Sequence, residues 1–176
     1  MTKRMPVVGV MGSGDAAHAD KAEDLGRWLA GQGVHLLTGS GRGVMTAASE
    51  AFASVKDRAG LVVGVVPCAD EPQIPYDGYP NPFVELAIFT HLPLSGIAGT
   101  DMRSRNHINV LSSNVLVALP GGSGTSSEVV LALRYGRPIA AYVDEPTDIL
   151  DLPDAVPVLR TLGEVQRFVL HALGRD

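Results

Sequence analysis

"VLVALPGGSGTSSEVVLALRYG", residues 115–136, decides how the chain is read. A five-residue apolar run ends in Pro120 and two glycines, passes through hydroxyls and reaches Glu128, which leads a second apolar run. The first run reads as a buried strand and the second as a helix, because Pro-Gly-Gly punctuates them. Thr125-x-x-Glu128 has capping-box spacing, in which the glutamate reaches back to the N-cap N–H. The same carboxylate would also stand at any anion site that the turn forms. Both roles stay open.

The alternation recurs outward from this stretch. Strands are expected at 6–11, 34–39, 61–66, 84–90, 115–119 and 139–143. Helices are expected at 16–31, 43–57, 101–113, 125–136 and 161–173, the last with Leu162, Val165, Val169 and Leu173 at helical spacing. Near-continuous apolar strands separated by helices predict an α/β fold. It is a single doubly wound, mainly parallel, Rossmann-like sheet with helices on both faces, forming one domain over 1–176. Two long loops remain: 67–82, with Pro67, Pro72, Pro75, Pro80 and Pro82, and the acidic 144–157.

Composition narrows the function classes. A chain of 176 residues, 45% hydrophobic and 19% charged, suits one domain with a real core. A net charge of −5 argues against nucleic acid or an anionic membrane as partner. The single cysteine, Cys68, excludes an internal disulfide and a multi-cysteine zinc site. His18, His35, His91 and His171 lack metal-ligand spacing, so no metal is expected. The first apolar run breaks at Gly12, too early for a signal peptide, and no later stretch is long enough to span a membrane. A cytoplasmic location is expected.

In a doubly wound sheet, ligands sit outside the carboxyl ends of the strands. Three strand-to-helix turns that should emerge there are glycine-rich: Gly12-Ser13-Gly14, Gly39-Ser40-Gly41-Arg42-Gly43 and Gly121-Gly122-Ser123-Gly124-Thr125. Glycine admits a ligand close to the backbone, and a helix N-terminus adds unpaired N–H groups. Gly12, Ser13, Gly14, Gly39, Ser40, Gly41, Gly43, Gly121, Gly122, Ser123, Gly124 and Thr125 are therefore candidate phosphate- or nucleotide-binding residues. "GSGDAA" comes near a dinucleotide fingerprint, but Thr38-Gly39-Ser40 stands where a ribose-gripping acid belongs. No phosphate-loop lysine motif occurs. Lys3, Lys21 and Lys56 lie outside the glycine turns, which argues against a pyridoxal-phosphate decarboxylase.

"DMRSRNHINVLSS", 101–113, supplies two arginines. On a helix Arg103 and Arg105 stand about 200° apart, and Arg105 borders the inward stripe of Ile108 and Leu111. A half-buried guanidinium needs a partner, either a neighbouring carboxylate or a ligand. His107 reads as a packed or surface histidine rather than a general base.

"PGGSGTSSE" (120–128) resembles the P-G-G-x-G-T-x-x-E signature of the LOG-like family, known for cytokinin-activating Lonely guy phosphoribohydrolases. "VVGVMGSGD", "LGRWLAGQGVHLLTGSGRGVMTAASEAF" and "VVGVVP" are similar to its first three strand–helix units, and "MRSRN" to its M-H-x-R-K stretch. The resemblance puts Arg105 and Glu128 in the catalytic places, and Gly121, Gly122, Gly124 and Thr125 in phosphate-binding ones. Arg103 replaces the family histidine, Asn106 its lysine and Ser127 the first acid of its glutamate pair. The wording around them is closer to a shorter sister branch that includes molybdenum-cofactor-carrier-like proteins.

The resemblance implies hydrolysis of the N-glycosidic bond of a nucleoside 5′-monophosphate, giving free base and ribose 5-phosphate. Glu128 would stabilise oxocarbenium character or activate water, and Arg105 would orient it. No cofactor is required for that chemistry, and a bound nucleotide or phosphate is expected. The alternative is a carrier of a phosphate-bearing cofactor such as molybdenum cofactor, or a nucleotide-sensing module. Val129 to Leu133 are apolar all round, which with the resemblance predicts a homodimer or higher oligomer.

Overall fold

The computed structural model describes residues 4–69 and 74–175. Seven strands form one sheet: β1 (Val7–Met11), β2 (His35–Thr38), β3 (Val62–Val66), β4 (Leu86–Phe89), β5 (Val115–Ala118), β6 (Ile139–Tyr142) and β7 (Val158–Leu159). Their order is β4-β3-β2-β1-β5-β6-β7, and every pairing is parallel. The expected doubly wound α/β architecture is what forms. The six expected strands are joined by β7, too short for periodicity to reveal.

Five helices cover the sheet: α1 (Ala19–Ala30), α2 (Val44–Ser54), α3 (Asn106–Ser112), α4 (Ser123–Arg134) and α5 (Leu162–Ala172). Residues of α1, α2 and α5 share one apolar cluster with Val8, Leu36, Val62 and Val117. Val110 of α3 and Val129, Leu131 and Ala132 of α4 pack with Met11, Leu37, Leu116 and Ala141 in a second. Strand residues alternate between the clusters because successive side chains point to opposite faces. Both faces are covered, so β1, β3, β5 and β6 read as unbroken apolar runs. Val165 and Val169 of α5 are fully buried, as their spacing predicts, and the helix begins with a capping box between Thr161 and Glu164.

Two helices depart from expectation in ways that matter for the site. The 101–113 segment is helical only from Asn106. Before it, Leu94 forms a parallel bridge with Ser104, and the Arg103 N–H donates to Asp101 Oδ1 at 2.8 Å, so local polar bonds hold a turn. At the other helix, α4 begins at Ser123 with Gly122 as N-cap, two residues before the expected start. Thr125 and Glu128 therefore lie at the third and sixth helical positions. No capping box joins them.

The apolar surround of α4 is also incomplete: Val129, Leu131 and Ala132 are buried, Val130 is half-buried and Leu133 is 39% exposed. The 144–157 loop contains a single turn of 3-10 helix and the buried Ile149, and Gly121 bridges to that residue. Part of the 67–82 loop, including Pro72, lies outside the described residues. Among the described residues, no helix is long and apolar enough to cross a membrane.

Candidate functional site

The chain runs β1 to β4 outward, then returns to place β5 on the other side of β1. The turns after β1 and β5 therefore leave the sheet toward opposite faces, and a crevice opens between them. The Ser13 N–H donates to Pro120 O at 2.9 Å, tying these two glycine turns together. Between them lies a hollow of about 170 Å³ lined by Gly12, Ser13, Gly14, Asp15, Gly122, Ser123, Gly124 and Thr125. The first-turn N–H groups of α4 have no acceptor within the helix, and its dipole adds partial positive charge here. No lysine or arginine lines this hollow among the described residues, so attraction for an anion rests on backbone and hydroxyls.

An inner hollow of about 190 Å³ adjoins it. Gly12, Gly14, Gly124 and Thr125 line both; Met45, Tyr79, Ser95, Gly96, Arg105, Asn106 and Glu128 complete the inner one. Arg105 and Glu128, far apart in sequence, meet here. Arg105 is 4% exposed and Glu128 7%. One guanidinium arm (Nη1) reaches Asn106 Oδ1 at 3.3 Å, while the buried Nε has no partner. The ring of Tyr79 stands 6.0 Å from the guanidinium carbon.

Burial pushes the Glu128 carboxyl above its ordinary value; the Arg105 charge and a hydrogen bond from Asn109 pull the other way. Asn109 Nδ2 donates to Glu128 Oε1 at 2.7 Å. Asn106 and Ser127 also face each other: Asn106 Nδ2 donates to Ser127 Oγ at 2.8 Å, and Ser127 Oγ donates to Gly124 O at 2.7 Å. Glu128 is the one carboxylate lining the inner hollow among the described residues.

The second glycine turn occupies a different place from the other two. Gly39, Ser40, Gly41 and Gly43 line neither hollow. A Cβ on Gly39 would stand 2.5 Å from Arg105 Nη1, and one on Gly41 would stand 2.9 Å from the Tyr79 hydroxyl. These glycines make room for pocket side chains. Gly43 has φ of 61°, and its neighbour Val44 donates its N–H to Ser13 O at 2.9 Å, which steadies the first turn. Gly121 is likewise occupied, because its N–H donates to Asp148 O at 2.9 Å and its carbonyl accepts from the Leu150 N–H.

His107 is packed, as expected: Nε2 meets Asp101 O at 2.9 Å and Nδ1 meets the Tyr135 hydroxyl at 2.6 Å. A carbonyl only accepts, so Nε2 carries a proton. Among the residues that sequence reading missed, Asn109 had a signal: it stands four residues after Arg105, at same-face spacing. Tyr79 and Met45 had none, because tertiary packing alone brings them to the inner hollow.

A parallel sheet with glycine turns at its switch point defines the Rossmann-like class. The chain belongs to the SLOG cluster4 family, whose model matches residues 5–158. It is 31% identical over 137 residues to an uncharacterised protein of Archaeoglobus fulgidus, covering 76% of this chain and 78% of that one. Among solved structures it is similar to the molybdenum cofactor binding protein of the phototrophic bacterium Rippkaea orientalis, with 31% identity and a TM-score of 0.74 over 98% of this chain and 99% of that one. It is also similar to the molybdenum cofactor carrier protein of Chlamydomonas reinhardtii, with 31% identity and a TM-score of 0.72 over 97% and 99% of the two chains.

Proposed function

We propose that the protein is a carrier: its crevice holds a phosphate-bearing cofactor of the molybdenum-cofactor kind and performs no chemistry on it. The phosphate sits in the glycine-lined hollow against the start of α4. The observation that carries this reading is the hydrogen bond between Asn106 and Ser127. Those two positions hold a lysine and an acid in the LOG-like enzymes that the sequence resembles. Here a neutral amide–hydroxyl pair replaces both charges and leaves Glu128 without a second acid. Likeness to a cofactor-binding and a carrier protein over nearly the whole chain supports the same reading.

A second reading is favoured by the buried Glu128 beside Arg105. A positioned acid of this kind could stabilise positive charge on a ribose ring, as N-glycosidic hydrolysis of a nucleoside 5′-monophosphate requires. Incubating the purified protein with AMP and other monophosphates separates the two. The carrier reading expects stoichiometric binding and no free base; sustained base release, abolished in Glu128→Gln, would replace it with the hydrolase. The exposed Leu133 on α4, with Ile97 and Met102 exposed nearby in sequence to α3, supports a homodimer or larger assembly. Light scattering that gives a monomer mass would refute that assembly.

A further inference from the structure

The inner hollow has two lining side chains, Tyr79 and Met45, that neither proposed chemistry uses. Tyr79 reaches it from the 74–84 loop, which is docked onto the second glycine turn. The Asn81 N–H donates to Ser40 O at 2.8 Å, and Asn81 Nδ2 donates to Gly41 O at 3.0 Å. Asn81 is 4% exposed, so this anchor is sheltered from water. Gly41 lets the phenol lie against its backbone, and its N–H points to Met45 Sδ at 3.4 Å. The wall thus joins an aromatic ring, a polarizable thioether and the guanidinium of Arg105, whose buried Nε lacks a protein partner.

We infer that Tyr79 and Met45, with Arg105, form the subsite for a flat heteroaromatic ring carried on the phosphate monoester. A flat π-system matches all three: it can stack on a phenol, lie against a thioether and accept a hydrogen bond from a guanidinium. Ligands with a phosphate but no ring leave this wall unused. Tyr79 is then a specificity-determining residue, and the second glycine turn contributes to recognition through the side chains it seats.

The inference rests on the reading of the glycine-lined hollow as a phosphate site, and calorimetric titration tests the two separately. The probes are AMP, neopterin monophosphate and ribose 5-phosphate, titrated into the wild-type protein, Tyr79→Phe and Tyr79→Leu. Ring-bearing probes should bind the wild type more tightly than ribose 5-phosphate. Tyr79→Leu should weaken them roughly tenfold and leave ribose 5-phosphate unchanged, while Tyr79→Phe keeps the preference. Whichever of AMP and neopterin monophosphate binds more tightly identifies the ring as nucleobase or pterin. Equal weakening of all probes in Tyr79→Leu, or no weakening, overturns the ring subsite while phosphate binding stands. Failure of every probe to bind the wild type overturns the phosphate reading and the subsite with it. Circular dichroism on both variants checks that the fold is kept.

Discussion

Asn109 Nδ2 donates to Glu128 Oε1 across 2.7 Å, so one hydrogen bond joins α3 to α4 at the carboxylate of the inner hollow. Asn109 is fully buried, and its own Oδ1 has no partner. An unsatisfied carbonyl and a desolvated acid are both costly. Strain of this kind is characteristic of ligand sites rather than of ordinary cores.

Removing the charge should therefore stabilise the protein. The folded-state pKa of Glu128 lies above its ordinary 4.5, so the folded chain holds that proton more tightly than the unfolded one. Stability then falls as pH rises from about 4.5 through the folded pKa, and stays lower above it. Glu128→Gln should raise the melting temperature at pH 7 and lose that advantage near pH 4. Paired thermal scans across this range check it; a lower melting temperature for the variant at neutral pH contradicts it.

Removing the amide should do the opposite. Asn109→Leu leaves the buried Glu128 carboxyl group without its donor, at a cost of roughly 1–3 kcal/mol at pH 7. Denaturant titration measures this. In a Glu128→Gln background the penalty should shrink, because the carboxyl group that the amide serves is gone.

Gly39→Ala offers a way to disturb the site from a residue outside its lining. The added methyl would meet the Arg105 guanidinium rather than backbone. AMP affinity should fall several-fold, with a melting temperature within a few degrees of wild type. Unchanged affinity would mean that the guanidinium takes no part in binding.

Arg105→Lys keeps the charge and removes the planar fork. Because Nη1 already serves Asn106, ligand contact depends on the remaining donors. A lysine reaches with a single point charge, so binding of AMP should weaken by about tenfold. Wild-type affinity in this variant would show that charge alone suffices.

Much of this was written in local pattern. Valine-rich runs between helices imply a covered parallel sheet, and Pro120-Gly121-Gly122 marks the turn where α4 starts. Short polar bonds run against that pattern. Asp101 and the Leu94–Ser104 bridge hold back the start of α3, and no periodicity signals a bridge to a residue ten positions earlier. The capping-box spacing of Thr125 and Glu128 was real, yet the glycine backbone lets α4 begin at Ser123, which moves the acid into the second turn.

The sequence alone determined the layering of the fold and the glycine turns at its carboxyl edge, because alternation and backbone freedom are properties of neighbouring residues. It also supplied Arg105 and Glu128 as candidates. Only tertiary structure decided that the turns after β1 and β5 enclose the hollow while the turn after β2 stands behind it, seating Arg105 and Tyr79. Strand order set that division: β1 lies between β2 and β5, so the crevice opens where the chain reverses direction across the sheet.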